Sequence, residues 1–197
     1  MNNYIVTADL SFNATVQAVE NIDGNRFAVG GEFTKVTDST GEVKDCSYCG
    51  IFNKEGILDV SFNFNSPVYA LANLGNDKLA VGGGFTQLTK NNGDVVDTSR
   101  CVIVNSQTGA FDVSFNFNQR VLAFACLSDV SLAAGGSFEA ITDNTGIKYD
   151  TSNCVIVNSQ TGAFDVSFNF SDTVYALANL ENNRLAVGGD FKKLTNN

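Results

Sequence analysis

No histidine occurs among the 197 residues of this chain. That excludes Ser-His and Cys-His nucleophile pairs and an imidazole base. Carboxylate chemistry remains open, since glycoside hydrolysis needs only two acids placed across a bond. Glu32 and Asp190 each follow a Gly-Gly pair, in GGEF and GGDF, where two other copies of the motif read GGGF and GGSF. Glu20 occupies a position held by Ala72, Ala125 and Ala178 in related segments. Acids at solvated surfaces are common, and nothing around these three in sequence would desolvate them. The reading is therefore non-enzymatic, with no catalytic residue assigned and a carboxylate-only glycosidase or lyase kept as an alternative.

The five cysteines point to burial rather than to metal or redox work. Cys49, Cys101 and Cys154 recur at one equivalent position beside the apolar runs GIFN, VIVN and VIVN, as small hydrophobes do. Cys46 and Cys49 have half of a zinc-knuckle spacing, but no second Cys-x-x-Cys and no histidine complete it, and Cys46 aligns with Thr98 and Thr151. The stretch from Asp143 to Asp150 faintly resembles a calcium loop without its distal bidentate glutamate. The glycine pairs are not phosphate cradles, because no helix start follows them. No metal and no cofactor are expected.

A further polar set is aligned by position. The segments TKVTDSTGEVKDCSY, TQLTKNNGDVVDTSR and EAITDNTGIKYDTSN follow the Gly-Gly motifs, each with a turn before Gly41, Gly93 or Gly146 and an acid at Asp45, Asp97 or Asp150. Read as long loops on one rim, they present Asp45, Tyr48, Asp97, Arg100, Tyr149 and Asp150 beside Glu32 and Asp190 as candidate binding residues, since rigid scaffolds carry binding on loops. Tyr48 and Tyr149 would supply stacking faces for a sugar. The plainer reading makes these segments long hairpins whose Asn, Asp and Gly serve turn geometry.

The elements that hold these residues are set by an internal repeat. Asp59, Asp112 and Asp165 each open DVSFNF and Asp9 opens the weaker DLSFNA, so the starts fall 50, 53 and 53 residues apart. Each start leads to an apolar stretch (VQAVEN, VYALAN, VLAFAC, VYALAN), a polar turn and the glycine pair. A period near fifty marks a supersecondary unit that buries its faces only by stacking on neighbours. Within one unit, Val68 to Asn73 is a short β-branched, aromatic and small-residue run that reads as a strand. Further strands are expected at Lys78–Val81, Cys101–Asn105 and Ala110–Phe115, separated by the turns at Gly75-Asn76-Asp77 and Ser106 to Gly109. No segment keeps a helical period.

The order D-x-SF, VYALA, polar turn, KLAVGGxFT, short apolar strand and Gly turn resembles the delta-60 repeat, a kelch-like propeller unit, over essentially the whole chain. The resemblance implies that Gly30-Gly31, Gly82-Gly83, Gly135-Gly136 and Gly188-Gly189 mark close backbone approach. It implies a fold and a generic interaction role, with no common catalytic set, and the longer insertion after GGxFT departs from the usual pattern.

The expected architecture is one all-β domain over residues 1–197, a small β-propeller of four four-stranded blades. Residues from about Tyr4 to Phe12 would complete the last blade and close the ring; the alternative is half of an eight-bladed dimeric propeller. A net charge of −9 and a pI near 4.3 disfavour nucleic acid and anionic membrane surfaces as partners. With no signal peptide and no long apolar run, the expected location is the cytosol or a particle assembled there, a virion included. The functional expectation is a protein-binding or assembly module, self-association included, with a glycan-binding adhesin as the alternative.

Overall fold

The structure is a computed structural model that describes residues 9–90, 93–143, 145–180, 182 and 184–195. Among these the regular structure is entirely β. Strand β1 (Ser11–Phe12) is followed by β2 (Val16–Asn21), β3 (Arg26–Gly31), β4 (Lys35–Thr37), β5 (Val43–Asp45), β6 (Tyr48–Asn53) and β7 (Leu58–Phe64). The same order returns as β8 (Val68–Gly75), β9 (Lys78–Gly83), β10 (Gln87–Thr89), β11 (Val95–Asp97), β12 (Arg100–Asn105) and β13 (Phe111–Phe117). It returns again as β14 (Val121–Cys126), β15 (Ser131–Gly136), β16 (Ala140–Thr142), β17 (Lys148–Asp150), β18 (Asn153–Asn158) and β19 (Phe164–Phe170). The chain ends with β20 (Val174–Asn179), β21 (Leu185–Gly189) and β22 (Leu194–Thr195).

These strands form antiparallel sheets. Sheet I has the order β11-β10-β7-β6-β3-β2, sheet II the order β17-β16-β13-β12-β9-β8, and sheet III the order β14-β15-β18-β19-β22. Two partial sheets stand at the ends, β1-β4-β5 and β20-β21. The expected four-stranded unit is corrected to a six-stranded one in sheets I and II. The long segment after each GGxFT folds into a hairpin, and that hairpin joins the sheet of the preceding repeat, as β10-β11 joins β7. Its register pairs Leu88 with Phe64 and Thr89 with Asn63.

Two repeated side chains explain this crossing. Asn65 Oδ1 accepts the amides of Thr86 and Gln87 at 2.9 and 3.1 Å, and Asn118 Oδ1 accepts those of Glu139 and Ala140 at 2.9 and 3.1 Å. Asn13 does the same for Thr34 and Lys35, and Ser171 Oγ for Lys192 and Lys193. Beside each clamp a phenylalanine of one repeat packs on the GGxF phenylalanine of the next: Phe12 on Phe33, Phe64 on Phe85, Phe117 on Phe138 and Phe170 on Phe191, with ring centroids 4.3–4.6 Å apart. The sequence motifs DVSFNF and GGxF are the two sides of that contact. The register also places Phe12 and Asn13 in the slots of Phe64 and Asn65, two positions later than the shared D-x-SF string suggests.

The core lies between sheets. Ala28, Ile51 and Phe62 of sheet I pack with Leu79, Val81 and Val102 of sheet II. Ile103 and Phe115 of sheet II pack with Leu132, Val155 and Val157 of sheet III. The strands β2, β8, β14 and β20 each edge their own sheet and lie beside one another in sequence order. Their small residues, Ala70 with Ala72 and Ala123 with Ala125, allow that convergence.

Among the described residues the N-terminal strand does not form the expected pairing with the last sheet. Strand β1 pairs with β4, and β20-β21 stands as a sheet of its own. Tyr4 to Ala8, the first part of the expected closing strand, lies outside the described residues. Among the described residues β1-β4-β5 lies against β3, β6 and β7 of sheet I through Phe12 and Val36, while β20-β21 lies against sheet III through Val174 and Leu177. The arrangement is compatible with a β-propeller, and no ring of sheets closes within the described residues.

Candidate functional site

The aligned acids sit on strands rather than on loops. Asp45, Asp97 and Asp150 are the last residues of β5, β11 and β17, paired in register with Lys35, Gln87 and Ala140. All three are exposed. Asp45 takes an ion pair from Lys35 at 2.6 Å, Asp97 a hydrogen bond from Gln87 at 3.3 Å, and Asp150 an ion pair from Lys148 at 3.2 Å. Because β5, β11 and β17 are outermost edge strands, charge here blocks unwanted strand addition. The three acids belong to three different sheets and form no common site.

The two candidate stacking rings are already engaged. Tyr149 stacks on Phe164 at 4.2 Å and its hydroxyl donates to Asp143 at 3.3 Å. Tyr48 is half-buried against the core between sheets I and II. Asp143 itself is committed to turn geometry, its Oδ1 accepting from the amides of Thr145 and Ile147 and from the Thr145 hydroxyl. Asp38 does the same in the first hairpin, accepting from Thr40 and Glu42 and pairing with Lys44 at 3.0 Å. The Thr40 hydroxyl and the Lys44 ammonium hold the Asp38 carboxyl down at about 2. The described part of the calcium-like stretch is thus a turn leading into strand β17, and among the described residues no group of three or more His, Cys, Asp or Glu could hold a metal.

Glu32 and Asp190 are exposed at opposite ends of the row of sheets and are not brought together. Asp190 accepts from the Tyr175 hydroxyl at 3.0 Å, and Glu32 from Gln17 at 3.5 Å. Glu20 Oε1 accepts the amide of Asn73 at 3.3 Å and so links two inner strands. The cysteines are free thiols, four of them buried; burial pushes Cys46 and Cys154 up to about 12 and raises Cys101 and Cys49 as well. Cys46 Sγ donates to the Cys49 carbonyl at 3.3 Å, as the Thr151 hydroxyl does to that of Cys154 at 3.4 Å. That shared bond explains why Cys46 and Thr151 exchange in the repeat.

Arg100 opens β12 with a left-handed backbone, φ 78°, and the equivalent Tyr48 and Asn153 share it at 73° and 70°. From there the Arg100 guanidinium donates to the Phe117 carbonyl at 2.9 Å, and the Asn153 carboxamide to the Phe170 carbonyl at 3.0 Å. Arg100 also lines a polar groove of about 420 Å³ with Gly84, Gln119, Arg120 and Ser137, and Arg120 lies over the Tyr69 ring at 5.8 Å. This groove between sheets II and III escaped sequence reasoning, because it joins residues of two repeats.

The surfaces that depart most from the repeat are the two ends. At each internal junction a Cβ on the first glycine of the pair would collide with the next sheet: Gly30 with Val68, Gly82 with Val121 and Phe124, Gly135 with Val174. Among the described residues Gly188 has no such neighbour, the nearest atom being Ala176 Cβ of its own sheet at 3.6 Å. At the other end Val16 and Val19 hold the positions of the next-sheet residues, yet they are 38% and 63% exposed, whereas Val68, Val121 and Val174 are fully buried. An apolar groove of about 440 Å³ continues the uncovered C-terminal end, lined by Phe168, Phe170, Leu185, Val187, Phe191 and Leu194.

No protein-family model matches this sequence, and no curated protein matches it. Among solved structures the chain is similar to the computationally designed Ika4 protein, with a TM-score of 0.62 at 14% identity over 99% of this chain and 97% of that one. It is also matched to the computationally designed Ika8 protein, with a TM-score of 0.40 at 14% identity over 92% of this chain and 70% of that one. The first likeness concerns the fold alone.

Proposed function

We propose that this chain is a β-propeller segment that acts as a non-enzymatic interaction and assembly module, its partner being protein. The observation that carries the reading is the pair of uncovered ends, where Val16, Val19, Tyr175 and Leu194 are exposed although their repeat equivalents lie in packed junctions or sheets. Apolar surface left open at a repeat boundary favours association, at roughly 25 cal/mol per Å² removed from water. The motif order shared with delta-60 repeats supports a propeller, and the six-stranded sheets with converging inner strands support it further. A sugar-binding role has less support, since both candidate tyrosines already contact their own chain.

Sedimentation equilibrium tests this reading. An assembly module shows a mass above the 21.0 kDa of one chain at micromolar concentration. A mass of one chain at every concentration, with no protein retained on the immobilised chain, refutes it.

A further inference from the structure

We infer that the partner is a second copy of this chain, docked head to tail so that Val16 and Val19 of one copy fill the slot over Gly188 of the other, and that two copies complete a ring of eight sheets. The inference rests on the assembly reading above and names its partner. Its basis is that the contact already exists three times inside the molecule. The slot over Gly30 holds Val68 and Leu71, that over Gly82 holds Val121 and Phe124, and that over Gly135 holds Val174 and Leu177. In each case the next sheet supplies a valine and, three residues on, a larger apolar residue. Val16 and Val19 have the same spacing and the same place on the first inner strand, and they project without a covering sheet. Gly188 is the matching slot, with nothing in it from a following sheet among the described residues.

The outer strands agree. The last sheet has its two inner strands, β20 and β21, and lacks outer ones among the described residues, whereas β1-β4-β5 has three outer strands and lacks inner ones. Packing Val16 over Gly188 of a second copy carries β1-β4-β5 to the outer side of that copy's β20-β21, because β1-β4-β5 already sits in front of sheet I. One sheet position is then shared by two chains. A head-to-tail contact closes into a ring or runs on as a filament, depending on rotation per copy. Propellers have typically about four to eight blades. One copy leaves its ends uncovered, two give eight sheets, and three would give twelve.

Cysteine pairing decides the matter. At the internal junction a Cβ on Gly30 lies 3.2 Å from Val68 Cβ, so cysteines at the equivalent positions 188 and 16 are within disulfide reach. Gly188→Cys and Val16→Cys are made separately in a Cys126→Ser background, the other native thiols being buried. Each variant alone stays at 21.0 kDa on a non-reducing gel after oxidation, and the mixture yields a covalent species of twice that mass. A chain carrying both cysteines gives only the two-chain species. Cross-linking of either single variant with itself, an intramolecular bridge in the double variant, or a ladder beyond two chains overturns the inference. If the mass exceeds one chain but no bridge forms, the head-to-tail contact fails while the assembly reading stands.

Discussion

At the residue scale, the repeated asparagine does the most work for its size. Asn65, Asn118 and Asn13 each satisfy two backbone amides at the start of a hairpin from the following repeat. Removing the acceptor strands two donors at a place where strand pairing provides none, so Asn118→Ala is expected to cost about 1–3 kcal/mol, measured by urea denaturation. Asn118→Ser is expected to recover part of this, as Ser171 serves the same role. Asp38 gives a pH signature. Its folded value, about 2, lies below its ordinary value of 3.8, so its contribution is present above the ordinary value and disappears as pH falls through about 2. An acid titration followed by amide NMR is expected to show the β4-β5 hairpin loosening over that window, and Asp38→Asn is expected to remove the dependence.

The strands and sheets explain both what was legible and what was hidden. Alternation and turn residues marked the inner four strands of each unit, and the observed β9, β12 and β13 lie within two residues of the expected bounds. The plainer reading anticipated hairpins after GGxFT, but their joining of another sheet was hidden because their strands are three residues long and more than half Thr, Asp, Lys or Gln, which carry no apolar period. Their partners belong to another repeat, so no local signal announces them. Asp45, Asp97 and Asp150 consequently changed from rim-loop ligands to edge-strand charges. The glycine pairs make a prediction at this scale. The second glycine meets a backbone carbonyl in every unit, Pro67 O at Gly83 and Thr173 O at Gly189, whereas the first glycine meets the next sheet only where one exists. Gly82→Ala is expected to destabilise by about 1–3 kcal/mol through overpacking. In the free chain Gly188→Ala is expected to change stability by less than about 0.5 kcal/mol. Thermal melts of the two variants at low concentration check the contrast. Phe85→Ala, which empties the contact with Phe64, is expected to cost about 3–5 kcal/mol in the same assay.

For the whole molecule, stability and association are linked. Strand β20 exposes Ala176 and Ala178, whereas the equivalent Ala70 and Ala72 of sheet II and Ala123 and Ala125 of sheet III are buried. Binding a second chain to the native state raises the melting temperature with protein concentration. Val19→Asp is expected to abolish that concentration dependence and return the mass to one chain, while leaving the far-UV spectrum of a β protein intact. A melting temperature independent of concentration in the parent chain would count against association.

What the sequence determined by itself was the unit: its period, its strands, its buried cysteines and its paired motifs, because these follow from alternation, turn chemistry and residue size within about fifty neighbouring positions. What only the tertiary structure decided was how units share strands and where the series stops being covered. Hairpin exchange depends on an asparagine and a phenylalanine meeting partners about twenty residues away, and exposure at Val19 or Gly188 depends on whether another sheet stands in front. The identical segment VYALAN buries Ala70 and Ala72 inside the row and leaves Ala176 and Ala178 exposed at its end. The difference is one of neighbours in space, and a linear pattern does not carry it.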